Sequence, residues 1–226
     1  MPKISVIIPV YNARRTLRAC LASIFAQSLV GLEIIAVNDG STDGSLKILS
    51  EFQGKITIID QKNQGAAAAR NAGAKIATAP YLIFCDADIV MKTDMLEKMY
   101  EALQQNPQAA YVYSAFRFGR KVFKLWPFAA ERLRAQPYIH TTSLIRRDRF
   151  PGFDQKLKRF QDWDLWLTML QRGSEGYFIP EVLFQISAQG TMSSWLPACV
   201  YKFLPFLPAV KKFRAAERII KIKHKL

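Results

Sequence analysis

Acidic residues, histidines and cysteines are all scarce in this chain, and each shortage excludes something. Aspartate and glutamate number 18 against 32 lysines and arginines, a formal charge of +14 over 226 residues. Such an excess calls for an anionic partner or surface. The two histidines, His140 and His224, cannot complete any Cys/His spacing of a zinc site. The three cysteines, Cys20, Cys85 and Cys199, are odd in number, far apart and set among apolar neighbours. They exclude a disulfide framework and read as buried thiols of a reducing compartment. No apolar run is long enough to span a bilayer. The run after Met1-Pro2-Lys3 is also too short for a secretory leader. Neither GxGxxG nor GxxxxGK[ST] occurs, so a dinucleotide cradle and a P-loop are both excluded. Linkers, internal repeats and low-complexity tracts are missing too.

What is present is an apolar half of the chain, enough for one sizeable core. Strands are expected at Ile4–Val10, Glu33–Val37, Ile56–Ile59 and 81–85, alternating with helices. The first helix carries Leu17, Cys20, Leu21, Ile24 and Phe25 at helical spacing, with Asn12 as its expected cap. Others are expected through Phe52, over Gly65–Ala77, and from a Thr93 cap to about Gln105. Strictly alternating elements indicate an α/β fold with a parallel sheet and right-handed crossovers. The second half departs from that rhythm, with strands expected at Ala110–Ala115, Ile139–Arg146 and Gly176–Ile186 and a helix at Asp162–Arg172.

The segment Tyr81-Leu82-Ile83-Phe84-Cys85-Asp86-Ala87-Asp88 runs five apolar residues into two carboxylates. In open parallel sheets ligands sit just beyond the carboxyl ends of strands. Residues i and i+2 of extended chain project the same way, so Asp86 and Asp88 aim at one point. A hard divalent cation, Mg²⁺ or Mn²⁺, is the natural partner of two such oxygen donors. Three further polar clusters follow predicted strands: Tyr11-Asn12, Asn38-Asp39-Gly40, and Gln64-Gly65 before Arg70. A single cluster of this kind is usually a turn, whereas four on one rim outline a ligand crevice.

The motifs Ser5-Val6-Ile7-Ile8-Pro9-Val10-Tyr11-Asn12, Asn38-Asp39-Gly40-Ser41-Thr42-Asp43, Asn63-Gln64-Gly65 with Ala69-Arg70-Asn71-Ala72-Gly73, and Asp86-Ala87-Asp88 closely resemble those of family 2 glycosyltransferases. Gly152-Phe153-Asp154 and Gln161-Asp162-Trp163-Asp164-Leu165-Trp166 resemble that family's acceptor-side loop and Glu-Asp catalytic motif. The resemblance covers roughly residues 3–193. It implies a GT-A fold (Rossmann-like, with a mostly parallel central sheet flanked by helices) and a nucleotide-diphospho-sugar donor. The donor nucleotide site would comprise Pro9, Tyr11, Asn12, Asp39, Arg70, Asp86 and Ala87. Tyr11 would stack on a pyrimidine, Asp39 accept from its imide, and Arg70 offer a fork to the diphosphate. Asp86 would lie near the ribose and Asp88 hold the metal, Mg²⁺ or Mn²⁺.

By the same resemblance Asp162 is the expected general base of an inverting displacement, with helix capping as the plain structural reading of Asp162 and Asp164. A helix start lowers a carboxylate's proton affinity, so other neighbours must poise Asp162. His140, Gln161, Trp163 and Gln185 are candidates for the acceptor or phosphate side. Gln161 stands where the family usually has Glu. Ser187 stands where many members have a histidine approaching the metal or phosphates; either metal affinity or phosphate contacts are weaker here, or Gln185 and Gln189 substitute.

Residues 1–194 are assigned to the transferase domain and 195–226 to a basic amphipathic extension. From Lys202 to Leu226 eight basic residues face one acid, Glu217, a net of +7. A helix over Ala209–Lys225 with that charge suits an anionic bilayer surface, the competing reading being a helix packed on the domain. Arg117, Arg120, Lys121, Lys124 and Trp126 form a second basic-aromatic patch. No nucleic-acid motif is recognisable. The expected protein is a cytoplasmic transferase, peripheral on the inner membrane face. It would serve a glycan or lipid-linked acceptor in polysaccharide or cell-envelope synthesis. The alternative is a catalytically silent sugar-nucleotide or glycan-binding module of the same fold. A nucleotidyltransferase would need a glycine-rich basic loop where Pro9-Val10-Tyr11-Asn12 stands.

Overall fold

The computed structural model describes residues 1–187 and 206–226. β1 (Ile4–Val10), β2 (Leu32–Asp39), β3 (Thr57–Gln61) and β4 (Tyr81–Phe84) run parallel in the order β3-β2-β1-β4. Val10 pairs with Asn38, and Ile7 with Phe84. That register brings the polar residues after each strand to one edge of the sheet.

Alternation along β1 feeds two cores. Ile4, Val6 and Ile8 pack with residues of α1 (Leu17–Phe25), α2 (Ser45–Ser50) and, beyond the next strand, α4 (Met95–Gln105). Ile7 joins the opposite core, built from α3 (Ala66–Ile76), α5 (Ala130–Ala135) and α6 (Gln161–Gln171). With both faces covered, the strands read as unbroken apolar runs. Gly73 lets α3 close on the sheet, since a Cβ there would lie 2.5 Å from Ile7 Cγ2.

Beyond β4 the sheet turns mixed. β8 (Leu144–Arg146) pairs antiparallel with β4, and β6 (Ala109–Phe118) antiparallel with β8. β9 (Glu175–Ile186) returns parallel to β6, and β5 (Ile89–Met91) pairs antiparallel with β9. β7 (Lys121–Phe123) is a hairpin arm on β6. The nine described strands form one sheet, so the fold is α/β with its parallel half at the N-terminus.

Several local expectations change. β5, β7 and α5 carry no strong periodicity and were not anticipated. The strand expected at 139–146 shrinks to 144–146, because Thr142 N–H donates to His140 Nδ1 and Ser143 N–H to Thr141 O, which bends the chain. Asn12 is not the cap of α1, which starts after Thr16. Its side chain instead accepts from Thr42 N–H at 2.8 Å, tying the first loop to the second. Thr93 is likewise not the cap of α4, which starts after Asp94.

The last described element, α7 (Pro208–His224), closely matches the 209–225 expected. It begins on a proline, whose fixed φ suits a first helical turn. Val210, Ile220 and His224 are buried, and Phe213 meets Phe160 edge-on at 5.0 Å. The packed-helix reading therefore holds for this inner face. The outer face exposes Ile219 and Ile222 among lysines and arginines. The boundary expected at 194/195, together with Gln189, Cys199 and Lys202, lies outside the described residues.

Candidate active site

The loops at the polar edge of the sheet enclose a cavity of about 770 Å³. The whole expected donor set, from Pro9 to Ala87, lines it together with Asp88, His140 and Asp162. Asp39 is almost fully buried and organises the floor: it accepts from Gln61 Nε2 at 2.7 Å, Gln64 N–H at 2.9 Å and Gly65 N–H at 2.8 Å. Gly40 makes the adjoining turn at φ +71, where a Cβ would meet Asn63 N at 2.8 Å. Tyr11 sits on the rim, 51% exposed.

Arg70 departs from the simple fork expected of it. It is buried in α3, with one terminal nitrogen donating to Asp86 Oδ1 at 2.6 Å and the other to Gln161 Oε1 at 3.0 Å. Its Nε is buried and lacks a protein partner among the described residues, while the residue itself lines the cavity. Gln161 also donates to Leu157 O at 2.7 Å, so the amide in place of Glu is used in both directions.

The carboxylates are driven apart electrostatically. Burial works against ionisation of Asp86, but the adjacent Arg70 guanidinium overrides it and holds the carboxyl below its ordinary range. Burial and then the charge of Asp86 push Asp88 up to about 6. Asp162 is raised chiefly by burial, against the Trp163 N–H that donates to it at 2.8 Å and the field of Arg70. Burial therefore outweighs the helix terminus, and this carboxyl takes up a proton more readily than an exposed aspartate. His140 is lowered to about 4 by burial, with Arg70 adding to the shift. It is neutral near pH 7, and the Thr142 N–H on Nδ1 puts its proton on Nε2.

Asp86 and Asp88 suit a metal that keeps most of its shell for other ligands. Among the described residues no group of three or more His, Cys, Asp or Glu is placed to hold an ion. Mg²⁺-type ions commonly take one or two carboxylates and complete their shell with phosphate oxygens and water. The donor set fits that pattern, and two crowded carboxylates with one raised to about 6 are what a cation would relieve.

Three candidates, Gln161, Trp163 and Gln185, lie off the cavity lining, Gln161 reaching it only through its bond from Arg70. Trp163 is 1% exposed in the core and donates Nε1–H to Leu133 O at 2.6 Å, so it supports α6 and is not on the acceptor side. Gln185 is exposed on β9, where strand alternation turns Phe184 and Ile186 inward and Gln185 out, so it does not replace the missing histidine. Ser187, at that histidine's position, donates its N–H to Asp88 O at 2.8 Å. Arg14, Arg15 and Asn63 also line the cavity and were missed. The signal for the arginines was a basic pair one residue beyond Tyr11-Asn12, after Ala13. A smaller cavity of about 320 Å³ opens between the 151–154 loop, α6 and α7 and includes none of the expected donor-site residues.

Comparison with known proteins bears on the fold and the family. The Bacillus subtilis protein EpsE, named as a glycosyltransferase, is 30% identical over 202 residues, 82% of this chain and 73% of that protein. Glycosyltransferase GlyA of Streptococcus pneumoniae is 43% identical over 104 residues, 45% of this chain; this chain thus spans 15% of GlyA. S. aureus TarS 1–349 in complex with UDP-GlcNAc superposes with TM-score 0.77 at 18% identity, covering 97% of this chain and 66% of that one. Mannosyltransferase PcManGT from Pyrobaculum calidifontis, in complex with GDP-Man and Mn²⁺, gives TM-score 0.72 at 19% identity, covering 99% and 71%. At those identities the structural likeness is one of fold, which is the GT-A fold of glycosyltransferases. The family described as glycosyl transferase family 2 matches residues 5–163, from the first strand to the Asp162 motif. The chain belongs to glycosyl transferase family 2.

Proposed function

We propose that this glycosyltransferase moves a sugar from a UDP-linked donor to a hydroxyl of a glycan or lipid-linked acceptor, with inversion, in polysaccharide or cell-envelope synthesis. One observation carries the proposal: Asp162 of α6 and the Asp86–Asp88 turn, far apart in sequence, line a single cavity with Arg70 between them. The UDP-GlcNAc held by TarS and the GDP-Man held by PcManGT leave the base open, and the reading of UDP rests on the resemblance of the sequence motifs.

In this reading the Tyr11 ring stacks on the base and Asp39 accepts from its imide, using the oxygen that among the described residues takes just the Gly65 N–H. Pro9, Asn12 and Ala87 shape the pocket around the nucleoside. Asp86, held ionised by Arg70, faces the ribose, and the spare donors of Arg70 face the diphosphate. A Mg²⁺ or Mn²⁺ ion held by Asp88 would neutralise charge developing on the departing nucleoside diphosphate.

Asp162 takes the proton of the acceptor hydroxyl as its oxygen bonds to the anomeric carbon. The bond from that carbon to the phosphate oxygen breaks on the opposite face, and its electron pair leaves with the diphosphate. A carboxyl raised by burial binds that proton better than an ordinary aspartate. The neutral His140 offers an Nε2–H donor within the cavity. The protein would act in the cytoplasm at the inner membrane face, held by the outer face of α7. Among the described residues no helix is long and apolar enough to cross a membrane.

The test is a mass-spectrometric screen of nucleotide sugars for Mn²⁺- or Mg²⁺-dependent hydrolysis and transfer. Turnover of a UDP-sugar supports the reading. Tight donor binding with neither hydrolysis nor transfer would instead establish the silent binding module.

A further inference from the structure

Asp162 and Asp164 lie on the same helical turn but point to different sides. Asp162 lines the cavity, whereas Asp164 is 3% exposed on the side facing α7. A buried carboxylate requires charged or hydrogen-bonding partners. Asp164 finds them at the end of α7: Lys223 Nζ lies 2.7 Å from Oδ1 and 2.9 Å from Oδ2, and His224 Nε2 lies 2.7 Å from Oδ1. The same Lys223 nitrogen is 2.8 Å from Asp154 Oδ2. One ammonium thus bridges the acceptor-side loop and the helix that carries the base.

The loop is fixed at its other end as well. Asn71 accepts from Phe153 N–H and donates to Phe153 O, both at 2.8 Å. The Phe153 ring lies 5.3 Å from the Arg70 guanidinium, which holds Asp86 and Gln161. Contacts therefore run unbroken from the end of α7 to the cavity.

We propose that Lys223 and His224 are positioning residues for the transfer reaction: by clamping Asp154 and Asp164 they hold the acceptor-side loop and the start of α6, and with it Asp162, in register with the donor site. This rests on the transferase assignment. It gives α7 a task beyond packing, and a different one on each face.

The experiment compares Lys223→Met, His224→Ala and Asp154→Asn with the wild type. Asp154→Asn loosens the loop without stranding a buried charge, so it yields folded protein even where the other two do not. Two readouts are taken. Amide hydrogen exchange over residues 152–166 should speed up at least tenfold while exchange in β1 and β4 stays unchanged. Transfer kcat should fall at least tenfold with UDP affinity within twofold of wild type, and His224→Gln, which keeps an N–H donor, should recover most of it. Uniformly faster exchange, or transfer that survives a lowered Tm, would reduce the clamp to ordinary fold stabilisation and overturn the proposal. If the wild type turns over no sugar nucleotide, the assigned function fails, and local exchange at α6 alone decides whether the clamp exists.

Discussion

Two aspartates of one cleft make opposite demands on their surroundings. Asp86 stays ionised because Arg70 is 2.6 Å away, while Asp162 is pushed toward its protonated form mainly by burial. A base must be ionised to accept a proton, so kcat/KM should drop on acidification at a pH above the ordinary aspartate range. Asp162→Asn should bind UDP normally and lose transfer by about a thousandfold; retained turnover would dismiss Asp162 as the base. Stability follows the reverse sign. A carboxyl raised in the folded state contributes stability below its unfolded pKa, about 3.9, and loses it as pH rises through the folded value. Asp162→Asn should therefore melt higher than wild type at pH 8, and the gap should close below about pH 4. For Asp88→Ala, calorimetry with Mn²⁺ should lose the difference between UDP binding in metal and in EDTA. UDP binding that is equally tight in EDTA for the wild type would remove the metal from the scheme.

At the scale of elements, the closeness of α3 to β1 decides whether Arg70 reaches Asp86. Gly73 sets that distance, since its Cβ would fall 2.5 Å from Ile7 Cγ2. Gly73→Ala should cost about 1–3 kcal/mol by overpacking, seen as a lowered urea midpoint with an unchanged slope. α6 shows how one short helix serves two sides: Trp163 and Trp166 anchor it through Nε1–H bonds to Leu133 O and Ile139 O, leaving Asp162 on the cavity and Asp164 for α7. Cys85, beside the Asp86–Asp88 turn, lies 3.7 Å from Cys20 through the packing of α1 on the sheet. Both thiols are free and buried.

Over the whole molecule, the +14 charge is not spread evenly, and α7 concentrates much of it. Opposite its docked side, α7 exposes Ile219 at 54% and Ile222 at 68%, with Lys211, Lys212, Arg218 and Lys225 also exposed. Each basic residue near an anionic bilayer adds about 1 kcal/mol, weakened by salt. In co-sedimentation, the protein should bind vesicles containing phosphatidylserine and not neutral ones, and about 0.5 M salt should release it. Ile219→Glu with Ile222→Glu should abolish binding without moving Tm. Vesicle binding untouched by those changes would shift the contact elsewhere, for instance to the patch around Trp126, which Arg132 covers at 4.8 Å.

The parallel half of the sheet, the Asp162 helix and the start and end of α7 were legible in the chain, because each depends on a local pattern, an unbroken apolar run or a helical period; Asp86 and Asp88 do reach one cavity, but through a turn closed by Ile89 N–H on Asp86 O at 3.0 Å and not through the extended chain expected. The register of Ile7 with Phe84 was left to the tertiary structure, since a slip between runs that are apolar on both faces exchanges one apolar side chain for another. Only the tertiary structure decided that Arg70 spends its terminal nitrogens on Asp86 and Gln161, that Trp163 and Gln185 leave the cavity, and that Lys223 and His224 reach Asp154 and Asp164. Those outcomes depend on which distant segments meet in space, and a charged side chain chooses its partner by distance and burial, quantities that no spacing along the chain encodes.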